Sequence, residues 1–305
     1  MADPRTPPAH AGAIHACSIV ARNYLPQARV LAASWARHHP ESRLELLILD
    51  DTDRSVDDEG EPFTAVAPAD LPIEAEVWQE MAFIYEVTEF ATAVKPALLD
   101  LVRRRHGGAV AYIDPDIEIF GRLDRVAELA AAHPIVLTPH MLDPMDDDGR
   151  RPSEHDILGC GVYNLGFICV GDGSEPFLEW WGRHLRYHAI VDFRSSLFTD
   201  QRWIDFVPGY FDFVALRSPA YNVAYWNLPQ RTLHQEDGRW FVGDEPLVFF
   251  HFSGYDPRRP WAVSKHLGPE ARVLFSERPD VLALCRGYDA QLRAVGFGTD
   301  TSGYA

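Results

Sequence analysis

The stretch Ala109-Val110-Ala111-Tyr112-Ile113-Asp114-Pro115-Asp116 decides how the rest of the chain can be interpreted. Its first five residues form a short apolar run that is typical of a buried β-strand. The run ends in two carboxylates one residue apart, and like charges this close cost free energy unless a positive charge lies between them. Pro115 stiffens the turn, so both carboxylates can face one point. The stretch predicts a divalent cation at a strand end, although Asp and Pro are also common in surface turns.

The composition allows a sizeable core, in one large α/β domain or in two small ones, and makes some partners unfavourable. Of 305 residues, 47% are hydrophobic and 12% aromatic, which is enough for a sizeable core. The net charge is −17, from 45 acidic and 28 basic residues, and nucleic acid phosphates would repel such a chain. We therefore expect no nucleic-acid partner. An anionic small substrate would need a metal and a few local cations to bind against this field.

The cysteines and the termini favour a cytoplasmic protein. Cys17, Cys160, Cys169 and Cys285 are scattered, and the sequence contains no CxxC pair. Free thiols fit a reducing compartment. Residues 1–11 lack the apolar segment of a signal peptide, and no run reaches the length of a transmembrane helix. We expect a disordered tail over residues 1–11, a single domain over 12–297 and a second tail over 298–305.

The hydrophobic pattern predicts a parallel sheet with helices on its faces. A strand over residues 14–20, a helix over 24–39 and a strand over 44–49 open the chain in strand–helix–strand order. A Pro-, Asp- and Gly-rich loop over residues 140–156 is a candidate lid. Further helices are predicted over 73–86, 92–106, 123–132, 175–188 and 279–295, and further strands over 134–138, 162–170, 211–216 and 247–252.

Polar side chains follow several of the predicted strands. In open α/β sheets, sites form at the carboxyl ends of strands, and Arg22-Asn23-Tyr24, Asp50-Asp51, Asp114 with Asp116, and His251 all lie at such ends. His251 lies in an aromatic strand and could be an ordinary core histidine. As a ligand beside two carboxylates, its imidazole would favour Mn²⁺ over Mg²⁺. Lys95 could reach a phosphate or a sugar hydroxyl, or lie along the surface.

Five short motifs together resemble a known enzyme family. The Asp-Pro-Asp segment resembles the DXD metal motif of GT-A glycosyltransferases, and the other four resemble segments of glycosyltransferase family 8, the glycogenin and lipooligosaccharide galactosyltransferase group. They occur in that family's order across residues 14–265. The other four segments are Lys95-Pro96, Asn164-Leu165-Gly166, Asp200-Gln201, and His251-Phe252-Ser253-Gly254 followed by Arg259-Pro260-Trp261.

The resemblance implies a GT-A fold, a Rossmann-like and mostly parallel sheet flanked by helices, in a single domain with an acceptor-side insertion. It implies a nucleotide-sugar donor, UDP-linked by preference, and Mn²⁺ or Mg²⁺ as cofactor. Asp114, Asp116 and His251 would hold the metal, and Asp200 and Gln201 would lie at the reacting centre. The donor-binding set would comprise Ala21, Arg22, Asn23, Tyr24, Asp50 and Asp51 around the base and ribose; Lys95, Asn164 and Asp200 around the sugar; and Asp114, Gly254, Arg259 and Lys265 towards the diphosphate.

Two features depart from the family pattern. Arg259 stands where the family has Lys, and Tyr255-Asp256-Pro257-Arg258 lengthens the spacing from Gly254. An arginine can still neutralise a leaving phosphate, and it does so with two parallel hydrogen bonds. The diphosphate contact is therefore the part of the resemblance that the sequence leaves open.

The reaction and the acceptor also stay open. Retention is the preferred outcome, since the leaving phosphate could take the acceptor proton and Gln201 would act only as a polar support. Inversion would require a carboxylate base, and Asp143, Glu154, Asp156 and Asp200 are the candidates. Tyr221, Tyr225, Trp226 and Asn227 could form an acceptor platform or a peripheral core, whereas Trp180-Trp181 is expected in the core. The acceptor could be a saccharide, a natural product or a protein.

Two rival functions fit parts of the pattern. A metal-dependent nucleotidyltransferase or phosphohydrolase would require more carboxylates and a Gly-rich basic loop after the first strand, and Ala21-Arg22-Asn23-Tyr24 is not such a loop. A non-catalytic nucleotide-sugar-binding protein could carry the same motifs.

Overall fold

The computed structural model describes residues 13–298, so both expected tails lie outside this range except for Gly298. The strands are β1 Ile14–Val20, β2 Leu44–Ile48, β3 Phe63–Val66, β4 Ala109–Ile113, β5 Ile117–Ile119, β6 Ile135–Pro139, β7 Tyr163–Val170, β8 Val191–Asp192, β9 Leu197–Phe198, β10 Val214–Ala215, β11 Leu233–Glu236, β12 Arg239–Val242, β13 Glu245–Pro246 and β14 Phe249–His251. The α-helices are α1 Leu25–His38, α2 Ala75–Ile84, α3 Val87–Ala93, α4 Lys95–His106, α5 Asp124–Ala132, α6 Glu154–Cys160, α7 Glu175–His188, α8 Val207–Tyr210 and α9 Pro279–Ala294.

A mixed, mostly parallel sheet lies at the centre, as the sequence predicted. Its seven strands run in the order β10-β6-β7-β4-β1-β2-β3. Strand β7 is antiparallel to both of its neighbours, and the other four strand pairs are parallel. The carboxyl ends of β1, β2, β4 and β6 and the amino end of β7 therefore lie along one edge of the sheet. This edge carries the polar residues identified from the sequence.

Hydrophobic side chains cover both faces of the sheet. Strand β4 is buried along its whole length, because its side chains alternate between two cores. Tyr112 faces a core formed with α4 and α7, which includes Trp181. Ala111 and Ile113 face a second core formed with α1 and α5, which includes Trp35. The apolar run before Asp114 is thus a central strand, as predicted.

A short antiparallel strand pair brings the end of the chain to this strand. Immediately after the Asp-Pro-Asp turn, β5 pairs with β14, and His251 lies opposite Ile117. The backbone N–H of Phe252 donates to the carbonyl of Asp116 at 2.8 Å. The register of this pair therefore sets His251 beside Asp116.

Several predicted boundaries differ from the structure. The helix expected over residues 92–106 is two helices, α3 and α4, because Pro96 at the start of α4 lacks an N–H and cannot continue the preceding helix. The strand expected over 211–216 has only two residues, and the loop expected over 140–156 ends in α6, which Ser153 caps by accepting from the N–H of Asp156. Strands β3 and β5 and the β11–β13 hairpin were not predicted, since each is too short to show a clear period.

All four cysteines are free thiols, and three of them are buried. Among the helices within residues 13–298, none combines the length and apolar character needed to cross a membrane.

Gly171, directly after β7, lies against the end of α5. A Cβ at this position would lie 2.1 Å from the carbonyl oxygen of Ala130. We expect Gly171→Ala to lower the free energy of unfolding by about 1–3 kcal/mol, because the backbone must shift to relieve this overlap. Urea unfolding monitored by circular dichroism measures the change.

Gly287→Ala is the matched control. This glycine lies on the exposed side of α9, and a Cβ there would meet no described atom within 4 Å. Alanine should stabilise this helix by about 0.5–1 kcal/mol. Equal stability changes in the two variants would contradict the close approach at Gly171.

Candidate active site

Asp114, Asp116 and His251 meet at the end of β4. One potential ligand atom from each side chain lies within 4.8 Å of the others. His251 Nε2 is 3.0 Å from Asp116 Oδ1 and 3.8 Å from Asp114 Oδ2. Two ligands at right angles on a cation with bonds of about 2.1 Å lie about 3.0 Å apart. The three side chains therefore fit a Mn²⁺ or Mg²⁺ ion, and the two carboxylates with one imidazole suit Mn²⁺.

Local hydrogen bonds fix the first carboxylate. The backbone N–H of Asp114 donates to the carbonyl of Gly166 at 2.8 Å, and its carbonyl accepts from the N–H of Ile117 at 3.1 Å. The hydroxyl of Tyr112 donates to Asp114 Oδ1 at 2.8 Å. The other oxygen, Oδ2, is the one that faces His251. The turn thus leaves one oxygen of Asp114 directed towards the shared point.

Gly166 gives the imidazole the space it occupies. A Cβ on Gly166 would lie 2.3 Å from Cε1 of His251 and 2.9 Å from Asp114 Oδ2. No other residue type fits here without moving a proposed ligand. This close approach explains why glycine occupies position 166 of this chain.

Lys95 is a buried counter-ion and does not lie along the surface. Its side chain is 2% exposed, and Nζ lies 3.0 Å from Asp200 Oδ2 and 3.7 Å from Asp114 Oδ1. Nζ also donates to the carbonyl of Leu165 at 2.8 Å and lies 4.3 Å from the ring centre of Tyr112. Burial alone would lower the pKa of Lys95, but Asp200 and Asp114 outweigh it and raise the pKa. Lys95 therefore neutralises carboxylates from two distant segments.

Burial and neighbouring charge also act in opposite directions on the pKa values of His251 and Asp116. Burial would raise the pKa of Asp116, but His251 outweighs it and lowers the pKa. Burial would lower the pKa of His251, but Asp116 and Asp114 outweigh it and raise the pKa. The site therefore binds positive charge favourably, which is the electrostatic condition for holding a cation.

Asn164 and Gln201 belong to a buried amide network. Asn164 donates to His140 Nε2 at 3.2 Å and accepts from the Gly166 N–H at 3.2 Å and from Asn222 Nδ2 at 3.0 Å. Gln201 accepts from the Leu165 N–H at 3.0 Å and donates to the carbonyl of Cys160 at 2.8 Å. Both amides are thus tied to the backbone next to Gly166.

His140 was not identified as a site residue from the sequence, although it lies two residues after the end of the predicted strand 134–138. Its Nδ1–H lies 3.3 Å from the carbonyl of Val162, which leaves Nε2 as the acceptor for Asn164. Burial lowers the pKa of His140 to about 4, so the ring is neutral at physiological pH. The strand-end rule applied to His251 could have found this residue.

Arg22, Asp50 and Asp51 come together, but mainly with one another. The backbone N–H of Arg22 donates to Asp50 Oδ1 at 3.0 Å, and its guanidinium donates to Asp51 Oδ1 at 2.7 Å. Asp51 Oδ1 also accepts from the N–H groups of Ser55 at 2.8 Å and Val56 at 3.1 Å. Asp51 therefore organises the loop after β2, and Ala21 is buried directly after the end of β1.

A first cleft, the Tyr24 cleft, has a volume of about 320 Å³, and its lining residue Gly254 lies three positions after His251 in the chain. Arg258 lines this cleft, and its guanidinium is hydrogen-bonded to Asp256 at 2.9 and 3.0 Å. Arg259, the predicted phosphate contact, is exposed and is not among the lining residues. The cleft is also lined by Asn23, Tyr24, Gly254 and Lys265, four of the predicted donor-binding residues.

A second cleft, the Trp226 cleft, also measures about 320 Å³. Ser253 lines the second cleft, and the next residue, Gly254, lines the first. Each cleft therefore has a lining residue within three positions of His251. The residues that line the Trp226 cleft include His140, Asn164, Phe193, Phe198, Gln201, Tyr225, Trp226 and His266.

The predicted aromatic platform separates into two parts. Tyr225 and Trp226 line the second cleft. Tyr221 packs against Phe249 in the core, with ring centres 5.8 Å apart, and Asn227 is fully buried. Asn227 holds the turn by accepting from the Ala224 N–H at 2.9 Å and donating to the carbonyl of Asn222 at 2.9 Å.

Several solved structures of glycosyltransferases are similar to this chain. The galactosyltransferase LgtC, in complex with donor and acceptor sugar analogs, is 15% identical with a TM-score of 0.45 and covers 88% of this chain and 95% of LgtC. GlyE of Streptococcus pneumoniae TIGR4 is 15% identical with a TM-score of 0.49, over 92% of this chain and 63% of that chain. Mouse xyloside xylosyltransferase 1 is 11% identical with a TM-score of 0.43, and the match covers 78% of this chain and 97% of that chain.

Two uncharacterized proteins of Bacillus subtilis (strain 168) are similar in sequence. YfnD is 28% identical over 174 residues, which are 55% of this chain and 54% of YfnD. YfnF is 26% identical over 247 residues, which are 78% of this chain and 80% of YfnF. The match therefore spans about half the length of YfnD and most of YfnF. No protein-family model matches the chain.

Removing the buried counter-ion should destabilise the fold. We expect Lys95→Met to lower the free energy of unfolding by about 3–5 kcal/mol, because it leaves buried carboxylates without compensation. The double variant Lys95→Met/Asp200→Asn should lose less than the single one, since the uncompensated charge is reduced. Lys265→Met, which changes the chain's other lysine at an exposed position, is the control for urea unfolding. A wild-type midpoint for Lys95→Met would refute the buried pairing.

Filling the space at Gly166 should disrupt the ligand geometry. We expect Gly166→Ala to weaken Mn²⁺ binding by about 10-fold or more, because the new methyl group displaces His251 or Asp114. Isothermal titration of the purified chain with Mn²⁺ measures the affinity. Gly209→Ala is the control, since a Cβ at Gly209 would meet no described atom within 4 Å. Unchanged Mn²⁺ affinity in the Gly166 variant would show that the three side chains do not act together.

Proposed function

We propose that the chain is a metal-dependent glycosyltransferase, which moves a sugar from a nucleotide sugar, UDP-linked by preference, to an acceptor. One observation carries this proposal: Asp114, Asp116 and His251 converge on one point, and Ser253 and Gly254, which follow His251 closely in the chain, line two different clefts. A nucleotide in one cleft and an acceptor in the other would place the bond between sugar and phosphate at the metal ligands. Transfer of a sugar requires the donor and the acceptor to be held close together at the reacting bond.

Asp114, Asp116 and His251 would hold Mn²⁺ or Mg²⁺. When bound, the ion would supply positive charge to the diphosphate, which becomes more negative as the sugar leaves. Lys265 and Arg258 line the Tyr24 cleft and would add positive charge on the nucleotide side. Such local cations are needed because the chain as a whole carries a net charge of −17.

The nucleotide would lie in the Tyr24 cleft. Tyr24 is partly exposed there and could stack on a base, while Asn23 and Gly254 provide polar and backbone contacts. Arg258 would take the diphosphate contact that the motif resemblance gives to Arg259, because Arg258 is the arginine that lines the cleft. Its pairing with Asp256 would have to open or be shared when phosphate binds.

The state of the carboxylates supports retention over inversion. Of the four candidate bases, Asp143 and Glu154 line another depression and not the Trp226 cleft. Asp156 lines the cleft, but its oxygens are taken by Arg151 at 2.8 Å and by the N–H of Ser153 at 2.8 Å. Asp200 is paired with Lys95. The acceptor proton would then pass to the leaving phosphate.

The remaining predictions belong to the same proposal. A single domain over residues 12–297 would act in the cytoplasm, where the four cysteines would remain reduced. The loop within residues 140–156 would cover the site as a lid. The acceptor would be a saccharide, a natural product or a protein that reaches the Trp226 cleft.

A donor screen tests the proposal directly. The purified chain is incubated with a panel of nucleotide sugars in Mn²⁺, in Mg²⁺ and in EDTA, and released nucleoside diphosphate is measured. We expect slow, metal-dependent donor hydrolysis with one donor even without acceptor. Tight binding of a nucleotide sugar with no turnover in the presence of candidate acceptors would instead indicate a non-catalytic binding protein.

Loss of one ligand should abolish the reaction while the fold remains. We expect Asp116→Asn to reduce metal-dependent release of nucleoside diphosphate by about 100-fold or more, because the ion loses a charged ligand that it needs in the transition state. Asp244→Asn, at an exposed turn in the β12–β13 hairpin, should retain full activity. If the Asp116 variant retains wild-type metal-dependent turnover, the proposed metal site is wrong.

A further inference from the structure

The imidazole of His251 is oriented in an unusual way for a metal ligand. Ligating histidines normally donate their second ring nitrogen to a carboxylate, a carbonyl or water, which fixes the ring. In His251 the first nitrogen, Nε2, faces Asp116 at 3.0 Å. The second, Nδ1, is buried and finds no hydrogen-bond partner within the described chain. Packing against neighbouring groups must therefore hold the ring.

Trp226 provides the main ring contact. The ring centres of Trp226 and His251 are 5.2 Å apart, and their planes are at 89° to each other. This edge-to-face geometry is a favoured arrangement of aromatic pairs. Trp226 is only 3% exposed, so its ring is confined by its surroundings and does not present a free stacking surface to a sugar.

The backbone couples Trp226 to the strand that carries His251. The N–H of His251 donates to the carbonyl of Val223 at 2.8 Å, which ties the segment before Trp226 to β14. On the other side, Asn227 donates to the carbonyl of His140 at 3.1 Å. The indole also lies edge-on to His140, with ring centres 5.2 Å apart. Trp226 is thus held from both sides and cannot easily move away from His251.

We propose that Trp226 is a positioning residue for the metal centre: its indole fixes the ring of His251 so that Nε2 stays directed at the point shared with Asp114 and Asp116. Gly166 restricts the same ring, since its backbone lies where a Cβ would overlap Cε1. Steric confinement by Trp226 and Gly166 replaces the missing hydrogen bond to Nδ1. The inference rests on the metal site of the proposed function.

The test measures metal binding in the absence of nucleotide. Mn²⁺ affinity of the purified full-length chain is determined from the free-ion signal in electron paramagnetic resonance. Trp226→Leu should weaken Mn²⁺ binding by about 10-fold, in the range seen when a group that orients a ligand is removed. Trp226→Phe retains an aromatic ring and should restore affinity to within about twofold of wild type.

Trp78→Leu is the matched control. Trp78 lies on α2 and packs edge-on against Phe90, with ring centres 4.6 Å apart, so its loss removes a similar contact away from the proposed ligands. Its Mn²⁺ affinity should equal that of wild type. Circular dichroism establishes that each variant is folded, and Trp226→Met, whose unbranched and flexible side chain can fill an irregular space, is measured if Trp226→Leu is unstable.

Wild-type Mn²⁺ affinity in a folded Trp226→Leu or Trp226→Met chain would overturn the inference and leave the metal site standing. The inference is also overturned if Trp226→Phe binds Mn²⁺ as weakly as the aliphatic variant, because the ring would then have no specific role. If the wild-type chain binds no Mn²⁺, or if the Asp116→Asn variant binds Mn²⁺ as tightly as wild type, the proposed metal site is wrong and the inference fails with it.

Discussion

Repulsion between carboxylates is the constraint on which this site depends. Asp114, Asp116 and Asp200 converge at the end of a fully buried strand, where the surroundings weaken the screening by water. Lys95 lies between Asp114 and Asp200, and His251 lies against Asp116. Each carboxylate therefore faces a lysine or an imidazole that can be protonated. The fold therefore opposes three carboxylates with one lysine and one imidazole, which leaves this cluster with a net negative charge.

The sequence indicated the carboxylates that repel one another, but not all of the positive groups that offset their charge. Asp114 and Asp116 could be identified because they end an apolar run, and His251 because it ends another. Lys95 was weighed as a phosphate or sugar-hydroxyl contact against a surface position, and its role as a counter-ion was not predicted, since a lysine near a helix start has no local feature that marks it as buried. Its partner Asp200 lies far along the chain, and the two come together because α4 packs against α7, where Trp181 donates to the carbonyl of Asp200.

The sheet and the helices that cover it followed from hydrophobic periodicity, whereas the irregular polar segments did not. Asn222 and Asn227 are buried at turns without regular structure, and their hydrogen bonds reach back to Thr138, His140 and Asn164. Amide side chains in such segments resemble ordinary turn residues in a sequence. The motif around Arg259 shows the same limit, because the spacing alone could not decide that Arg258 would line the cleft.

The short pairing of β5 with β14 determines when, during synthesis of the chain, Asp114, Asp116 and His251 can come together. β5 follows directly on the carboxylates, and its partner strand ends at His251, late in the chain. No fragment that stops before this strand can present the three side chains together. A ribosome-bound chain can therefore bring these three side chains together only after residue 251 has been made, when all seven strands of the large sheet have already been synthesised.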